Sequence, residues 1–362
     1  MSAPVKSFRQ EFFDWTAPRE PSRDHYQLYR EILNGLPEPD AFWAFVLQAC
    51  GHLKPSTRKN HFFAAVHYAV LENPTESLAL YFPSAPAHDP KKDWAGAGAV
   101  FWEFVQRRSR EILRTVGARE VQINKLGRLA LFAPLFLEVA RRCPKPLAFV
   151  EVGSSIGFGL LWPHFRYSYL GRGQITGADA HGEISCHIEG TPAVPLNGIL
   201  PDACFLCGIE SSPLSASNPE DVRWLVALTA PGDAEGRLRL RQGLDMLKSR
   251  MPRIEHGCVL DVLPRLEPNL PRDAAMVVYH AMTLHHLRDD GKSEEFRKQL
   301  RLIGTRRRTF ELGVEWVENA DRTRSHPTPV ELTFTEWSAN GPQIKRIGET
   351  DQAADGILLK FV

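Results

Sequence analysis

The stretch Pro146-Leu-Ala-Phe-Val-Glu151-Val-Gly153-Ser-Ser-Ile-Gly157-Phe-Gly-Leu-Leu-Trp162 decides the fold that we expect for this chain. A short apolar run reaches an acidic residue, a glycine-rich turn follows, and a second apolar segment begins behind the turn. This order is typical of a buried parallel strand that passes into a helix and leaves its backbone open to a ligand. We therefore predict an open α/β sheet with Glu151 at the carboxyl end of its first strand, where such sheets bind ligands.

The glycine turn has neither of the two common nucleotide-binding spacings. Its pattern, Gly153-x-x-x-Gly157-x-Gly159, differs from G-x-G-x-x-G and from G-x-x-x-x-G-K-[ST]. An acidic residue two places before the first glycine would repel a pyrophosphate, but it suits a ligand that carries an amine, a sulfonium or ribose hydroxyls. S-adenosylmethionine carries all three. The turn therefore predicts either a nucleoside site or a structural turn.

Composition narrows the classes of partner. The chain has 362 residues, 43% of them hydrophobic, and a formal net charge of +1, which gives no reason to expect nucleic acid. The first residues lack the apolar core of a secretory signal, and no run of about 18 apolar residues predicts a membrane span. We expect a cytoplasmic protein that acts on a small molecule, without a membrane or nucleic-acid partner.

The six cysteines follow no disulfide or zinc-site spacing, which suits a reducing compartment. Cys204 and Cys207 form one C-x-x-C, but they lie in a predicted strand. Strand alternation places their sulfur atoms on opposite faces, so no metal site is predicted there.

Two regions differ in their hydrophobic pattern. Residues 1–118 show helical periodicity and predict an all-helical N-terminal domain. Residues 119–362 predict an α/β domain, with a helix over 121–142, an inserted hairpin near 165–203 and alternating strands and helices beyond it. A terminal antiparallel pair is predicted from 331–337 and 356–361. The predicted fold is a Rossmann-like class I methyltransferase sheet, mostly parallel, with an antiparallel C-terminal hairpin.

Several motifs together resemble a bacterial family of uncharacterised proteins that is associated with a class I methyltransferase-like core behind a helical region. The motifs are Val121-Gln-Ile-Asn-Lys-Leu-Gly-Arg128, Glu151-Val-Gly-Ser-Ser-Ile-Gly157, Gly208-Ile-Glu-x-x-Pro213 and Asp221-Val-Arg-Trp-Leu225. The resemblance runs from about Phe8 to the end of the fifth predicted strand. The family motif usually continues after the third strand with Gly-Asp, whereas Gly257 is followed here by Cys258. The acid that often flanks an adenine ring is missing at that place, although Asp261 lies close by in sequence.

The methyltransferase resemblance implies roles for individual residues. Glu151 and the turn would hold the methionine end of S-adenosylmethionine, and Glu210, at the end of the second strand, would bind the ribose hydroxyls. Asp179 is the alternative ribose ligand if the second strand is 174–178 instead. The implied cofactor-binding residues are Glu151, Gly153, Ser154, Ser155, Gly157, Glu210 and Asp261.

Two further groups are candidates for substrate chemistry. His280 ends the fourth predicted strand, where it could act as a general base or serve as a structural histidine. Gln122, Asn124 and Arg128 could bind a carboxylate or phosphate of the substrate, or tie down the helix that precedes the first strand.

Three functions remain after the sequence analysis. The first is S-adenosylmethionine-dependent methyl transfer to a small molecule held between the helical region and the sheet. The second is a degenerate methyltransferase-like protein that acts as a non-catalytic binding or scaffold module. The third is another α/β enzyme; we rank a hydrolase below the other two functions, although Gly153-Ser-Ser155-Ile-Gly157 matches the G-x-S-x-G spacing.

Overall fold

A computed structural model describes residues 3–17, 24–55, 57–317, 330–350 and 358–361. The chain divides into two compact units. One comprises Met1–Ile123 and Ala216–Arg241, and the other comprises Asn124–Ser215 and Gln242–Val362. The chain therefore returns once to the first unit after it has begun the second.

The described elements are numbered in chain order. The α-helices are α1 (Ala3–Thr16), α2 (Gln27–Asn34), α3 (Pro39–Cys50), α4 (Arg58–Glu72), α5 (Ala97–Arg107), α6 (Ser109–Ala118), α7 (Leu129–Arg142), α8 (Pro219–Leu228), α9 (Ala234–Ser249), α10 (Val259–Leu266), α11 (Leu284–Asp289) and α12 (Ser293–Arg306). Short 3₁₀ helices cover Ser77–Tyr81, Leu126–Arg128, Phe158–His164 and Glu267–Asn269. The strands are β1 (Leu147–Val152), β2 (Phe165–Tyr169), β3 (Gly173–Thr176), β4 (Gly182–Ser185), β5 (His187–Glu189), β6 (Gly198–Ile199), β7 (Ala203–Glu210), β8 (Ile254–His256), β9 (Ala275–Ala281), β10 (Thr309–Trp316), β11 (Val330–Ser338), β12 (Gly341–Thr350) and β13 (Leu358–Phe361).

The first unit is held together by aromatic packing between helices. Tyr29 of α2 stacks on Phe63 of α4 with ring centroids 4.1 Å apart. Helix α8 packs on α4 and buries Trp224 completely. Its start follows the capping chemistry of the sequence, because Asn218 accepts a hydrogen bond from the amide of Glu220 at 3.0 Å. The helical character predicted for the N-terminal region is confirmed.

The second unit contains a nine-stranded sheet in the order β5-β13-β12-β11-β10-β9-β1-β7-β8. Strand β1 pairs in parallel with β7 on one side and with β9 on the other, and β8 and β10 continue the parallel part. Strands β11, β12 and β13 are each antiparallel to the strand before them. The predicted mostly parallel sheet with antiparallel C-terminal strands is confirmed, and the direction of winding reverses between β1 and β9.

The two faces of this sheet carry different residues. Val150, Val152 and Val278 belong to an apolar cluster with residues of α10 and α12. On the other face Phe149 packs against Phe136 of α7, with ring centroids 5.1 Å apart. Burial on both faces explains the near-continuous apolar sequences of β1 and β9.

Residues 165–203, where a hairpin was predicted, contain all four strands of a second sheet in the order β4-β2-β3-β6. Strands β2 and β3 make an antiparallel pair, and β4 and β6 add to its two edges in parallel. Strand β5 instead pairs with β13 at the edge of the large sheet.

Two local predictions are wrong. The helix predicted over 121–142 begins only at Leu129, after an irregular segment and the 3₁₀ turn Leu126–Arg128. The segments 331–337 and 356–361 do not pair with each other, because β12 lies between β11 and β13. Strand β12 escaped notice because its first six residues are not buried, so its sequence lacks the apolar alternation that marks a strand.

In the described part of the chain, no helix is both long and apolar enough to cross a membrane.

Candidate functional site

The turn after β1 is built from residues in the left-handed backbone region. Gly153 has φ +74° and Gly157 has φ +94°, and Ser155 adopts φ +51° although it carries a side chain. The amide of Gly153 donates to the carbonyl of Ile209 at 2.9 Å, which fastens the turn to β7. A serine in this region is uncommon and persists where surrounding contacts impose it.

Glu210 imposes much of this conformation. One carboxylate oxygen, Oε2, accepts a hydrogen bond from the amide of Ser155 at 2.7 Å. The other, Oε1, accepts from the amide of Ser212 at 3.0 Å and from the hydroxyl of Ser211 at 3.2 Å. Glu210 is buried, so its carboxylate ties the end of β7 to the turn after β1.

Glu151 lies beside this tie with an unsatisfied oxygen. Its Oε2 atom is buried and has no hydrogen-bond partner among the described residues. Burial raises the pKa of the Glu151 carboxyl well above its usual range, the charge of Glu210 raises it further, and Arg128 opposes the rise. Its carboxyl end packs on Gly159, where a Cβ atom would come within 1.7 Å of Oε1. Glu151 is therefore a buried carboxyl group that would gain from a cationic partner.

One of the three predicted substrate residues contacts the turn, and a second acts on Glu151. Asn124 donates from Nδ2 to Oγ of Ser155 at 2.9 Å. Arg128 lies close enough to Glu151 for its charge to lower the pKa of that carboxyl. Gln122 falls in the other compact unit, so its role in substrate binding stays a prediction.

Ser154, also predicted to bind cofactor, has its hydroxyl turned into the protein. The residue is buried, and its Oγ has no partner in the described structure. A Cβ atom at Gly208 of β7 would lie 2.3 Å from this oxygen, so Gly208 provides the space that Ser154 fills.

The backbone just after β8 is hydrogen-bonded to the end of β7. The amide of Gly257 donates to the carbonyl of Glu210 at 2.9 Å, and Cys258 then precedes the first residue of α10. Asp261 is exposed in the first turn of α10, and its role beside an adenine ring stays a prediction.

Asp179 would be the ribose ligand only if residues 174–178 formed the second parallel strand, and they do not. The strand next to β1 is β7, so Glu210 ends the second parallel strand. Residues 174–176 belong to β3 in the smaller sheet, and Asp179 is paired with Arg250 at 3.0 Å.

His280 lies on the opposite face of the sheet from Glu151. In the parallel register Glu151 is opposite Tyr279, whereas His280 is opposite Val152. The ring nitrogens of His280 are 2.9 Å from Glu315 (Nδ1 to Oε1) and 3.2 Å from Glu311 (Nε2 to Oε1).

The charge of His280 follows from these two contacts. Burial alone would lower the pKa of His280, but the hydrogen bonds to Glu311 and Glu315 raise it to about 9. At neutral pH the imidazolium therefore donates to both carboxylates and has no lone pair to accept a proton. The predicted role of general base stays a prediction, and the contacts fit the structural alternative better.

Sequence reasoning missed the two acids that surround His280. Glu311-Leu-Gly313-Val-Glu315 places two acids four residues apart in a strand, on one face, with a glycine between them. Gly313 is opposite His280 in the register, and a Cβ atom there would be 3.0 Å from the ring. The acid–glycine–acid alternation was the signal that could have identified this site.

Cys204 and Cys207 confirm the expected alternation in β7, because Cys204 is exposed and Cys207 is buried. No group of three or more His, Cys, Asp or Glu among the described residues is placed to hold a metal ion.

The sequence model of a bacterial family, described as "Uncharacterized protein conserved in bacteria (DUF2332)", matches residues 17–356. The chain belongs to this family. No curated protein and no solved structure matches the chain. The predicted resemblance to an uncharacterised bacterial family is thus confirmed, and the turn described above, residues 153–157, lies inside the matched region of this family member.

Proposed function

We propose that the chain binds S-adenosylmethionine at the turn 153–157 and transfers its methyl group to a small molecule. The observation that carries the proposal is the unpartnered, buried carboxyl oxygen of Glu151, which lies beside a turn with three left-handed residues. Orphaned buried polar atoms are rare in folded proteins, and each calls for an explanation such as a ligand.

The position of the turn in the sheet supports a ligand site. The five parallel strands lie in the order third, second, first, fourth, fifth along the chain, with the reversal between β1 and β9. Open α/β sheets bind ligands beyond the carboxyl ends of their strands at this reversal. Glu151 is the penultimate residue of β1, and Glu210 is the last residue of β7.

The chemistry of Glu151 fits the amino group of the cofactor's methionine part. An ammonium group beside Oε2 would give this oxygen a charge-assisted hydrogen bond and would offset the repulsion from Glu210. When bound, S-adenosylmethionine supplies a methyl group that its sulfonium already activates. The chain therefore needs to bind, orient and shield the reacting groups from water.

Glu210 can contribute to ribose binding only in part while its present contacts are kept. A carboxylate offers about four acceptor positions. In Glu210, hydrogen bonds from Ser155, Ser211 and Ser212 already occupy three of them. One ribose hydroxyl could be accommodated without loss of a bond. A second hydroxyl would have to replace the bond from Ser211, the longest of the three.

A specific observation favours a second candidate, a non-catalytic binding module with a methyltransferase-like core. The carboxylate of Glu210 serves the turn itself, and Cys258 occupies the place where the family motif usually carries an acid. A protein that no longer binds the cofactor could keep both features.

Isothermal calorimetry and thermal unfolding with S-adenosylmethionine and S-adenosylhomocysteine test the proposal. We expect both compounds to bind, and a ligand at 100 times its Kd to add about 2.7 kcal/mol to the free energy of unfolding. Glu151→Gln should abolish the effect, because the amide cannot pair with an ammonium through charge. Glu267→Gln is the matched control, since Glu267 is a buried glutamate of the same unit that pairs with Arg307 at 2.8 Å before β10.

If neither S-adenosylmethionine nor S-adenosylhomocysteine binds at millimolar concentration, the proposal is rejected. Binding of the two compounds without methyl transfer to any acceptor in a small-molecule extract would favour the non-catalytic module. Equal losses of affinity in the two variants would show that Glu151 has no specific role.

A further inference from the structure

One carboxylate oxygen makes three contacts at the turn that joins β9 to α11, residues 281–284. Oε1 of Glu315 accepts hydrogen bonds from the amides of Thr283 at 2.9 Å and Leu284 at 3.0 Å. The same oxygen faces Nδ1 of His280 at 2.9 Å. Glu315 therefore joins the side chain at the end of β9 to the backbone that follows it.

A second acid completes the arrangement on the other side of the ring. Glu311 contacts Nε2 of His280 through Oε1, and its Oε2 accepts a hydrogen bond from the indole of Trp337 at 2.8 Å. His280 is only 2% exposed, so its charge depends on these two carboxylates. We call His280, Glu311 and Glu315 the ionic clamp.

The turn 281–284 also carries backbone strain. Met282 has φ +56°, a conformation that is costly for a residue with a side chain. Its amide donates to the carbonyl of Val314 at 2.9 Å, and the hydroxyl of Thr283 donates to the carbonyl of Ala281 at 3.1 Å. A strained backbone conformation persists only when surrounding contacts hold it in place. Here the ionic clamp provides such contacts through the hydrogen bonds that Glu315 accepts from Thr283 and Leu284.

The side chain of Thr283 rests directly on the glycine turn after β1. A Cβ atom built on Gly153 would lie 2.4 Å from Oγ1 and 2.5 Å from Cγ2 of Thr283. Gly153 is thus confined between Thr283 on one side and the carbonyl of Ile209 that its amide binds on the other. The position of Thr283 limits the conformations that the turn 153–157 can adopt.

We propose that His280, Glu311 and Glu315 are positioning residues that hold the turn 281–284 against Gly153 and so fix the conformation of the turn 153–157. The clamp acts through Thr283 and lies on the face of the sheet opposite Glu151. The consequence for cofactor affinity rests on the proposed function, whereas the mechanical link between the two turns does not.

Hydrogen–deuterium exchange of the ligand-free protein over residues 149–162 tests the mechanical link. We expect Glu315→Leu to speed exchange at the turn 153–157 about tenfold or more. The variant loses the hydrogen bonds from the amides of Thr283 and Leu284 and the charge pair with His280. Glu315→Gln retains an oxygen for the two amides and should restore much of the protection. Glu267→Leu is the control, since it removes a buried, ion-paired carboxylate before β9 and should leave the turn unchanged.

A smaller change keeps the test decisive if Glu315→Leu does not fold. Thr283→Ser removes only the methyl group over Gly153 and keeps the hydroxyl, so the chain should fold while exchange at the turn still rises. Unchanged exchange in the folded Glu315 and Thr283 variants, or an equal rise in Glu267→Leu, would overturn the proposal.

Cofactor affinity gives the second measurement. If the wild-type protein binds S-adenosylhomocysteine, Glu315→Leu, or Thr283→Ser in its place, should weaken binding about tenfold, and Glu267→Leu should not. Unchanged affinity in a variant with faster exchange would overturn the functional part. If the wild-type protein does not bind, the proposed function fails and exchange alone decides on the clamp.

Discussion

Glu151 carries a carboxyl group whose proton should depend on what binds beside it. Burial and the charge of Glu210 raise the pKa of this group in the ligand-free protein, and Arg128 only partly opposes them. A ligand ammonium at Oε2 would favour the carboxylate and lower the pKa again. Binding of a cation at this site is therefore coupled to loss of a proton.

We expect the binding of S-adenosylhomocysteine to be accompanied by release of protons, and its affinity to rise with pH until the free carboxyl has ionised. Calorimetry in two buffers with different ionisation enthalpies measures the release. Glu151→Gln should show no coupled proton if it retains any binding. Proton uptake by the wild-type protein, or equal release in the variant, would contradict the assignment.

The free protein supplies a control for the sign of this shift. Because the folded state holds the proton of Glu151 more tightly than the unfolded chain does, this group makes the folded state less stable as pH rises above the usual glutamate pKa. Glu151→Gln should therefore be more stable than the wild-type protein at pH 8. Reduced stability there would show that the carboxyl already has a partner.

Glu151, Glu210 and His280 could all be placed at strand ends from the sequence, because apolar runs that end in a polar residue mark those positions. The sequence did not reveal which face each side chain occupies, since that depends on register. Glu151 and His280 fall on opposite faces because the register pairs Val152 with His280. The side-chain partners of Glu210 are residues 55, 2 and 1 positions away, and only the folded chain brings the first of them close.

At the scale of elements, local pattern predicted the strands of the parallel sheet well and its surroundings less well. The segment before Leu129 has a helical apolar pattern, but tertiary contact overrides it, because Asn124 bonds to Ser155 instead of continuing a helix. Strand β12 was missed for the opposite reason, since its exposed residues give no apolar alternation. Both failures concern elements whose structure depends on a neighbour distant in sequence.

The 3₁₀ helix that follows the glycine turn, Phe158–His164, should tolerate no side chain at Gly159 without movement of Glu151. Because the clash involves the end of a flexible side chain, Gly159→Ala should cost only about 1–3 kcal/mol of unfolding free energy. It should nevertheless abolish cofactor binding, since the carboxyl group must leave its position. Denaturant unfolding and calorimetry measure the two effects.

Gly117 provides the matched glycine. It lies exposed in α6, and no described atom lies within 4 Å of a Cβ built there. Gly117→Ala should stabilise the chain by about 0.5–1 kcal/mol and leave affinity unchanged. Retention of affinity in Gly159→Ala would show that the position of Glu151 does not decide binding.

For the whole molecule, the change from helical to alternating pattern gave a boundary near 118, and the compact units divide after Ile123. What pattern could not indicate is that Ala216–Arg241 groups with the first unit. Helix α8 has an ordinary capped sequence between two strands of the sheet, so its local signal is that of a crossover helix. Helix α8 belongs to the first unit because it packs on α4, a contact that its own sequence does not reveal.

Contacts made by α8 predict which fragments of the first unit can fold. The indole of Trp224 donates to the carbonyl of Glu120 at 2.8 Å, Arg119 pairs with Asp221, and His67 contacts the carbonyl of Ala227 at 3.0 Å. A fragment of residues 1–123 leaves these groups uncovered, and we expect it to show no cooperative thermal transition by circular dichroism. The same fragment joined by a flexible linker to 216–241 should unfold cooperatively.

Trp224→Ala in the joined fragment should lower its free energy of unfolding by about 3–5 kcal/mol, because loss of the buried ring leaves a cavity. Equal, cooperative melting of the two fragments would show that the first unit does not need α8.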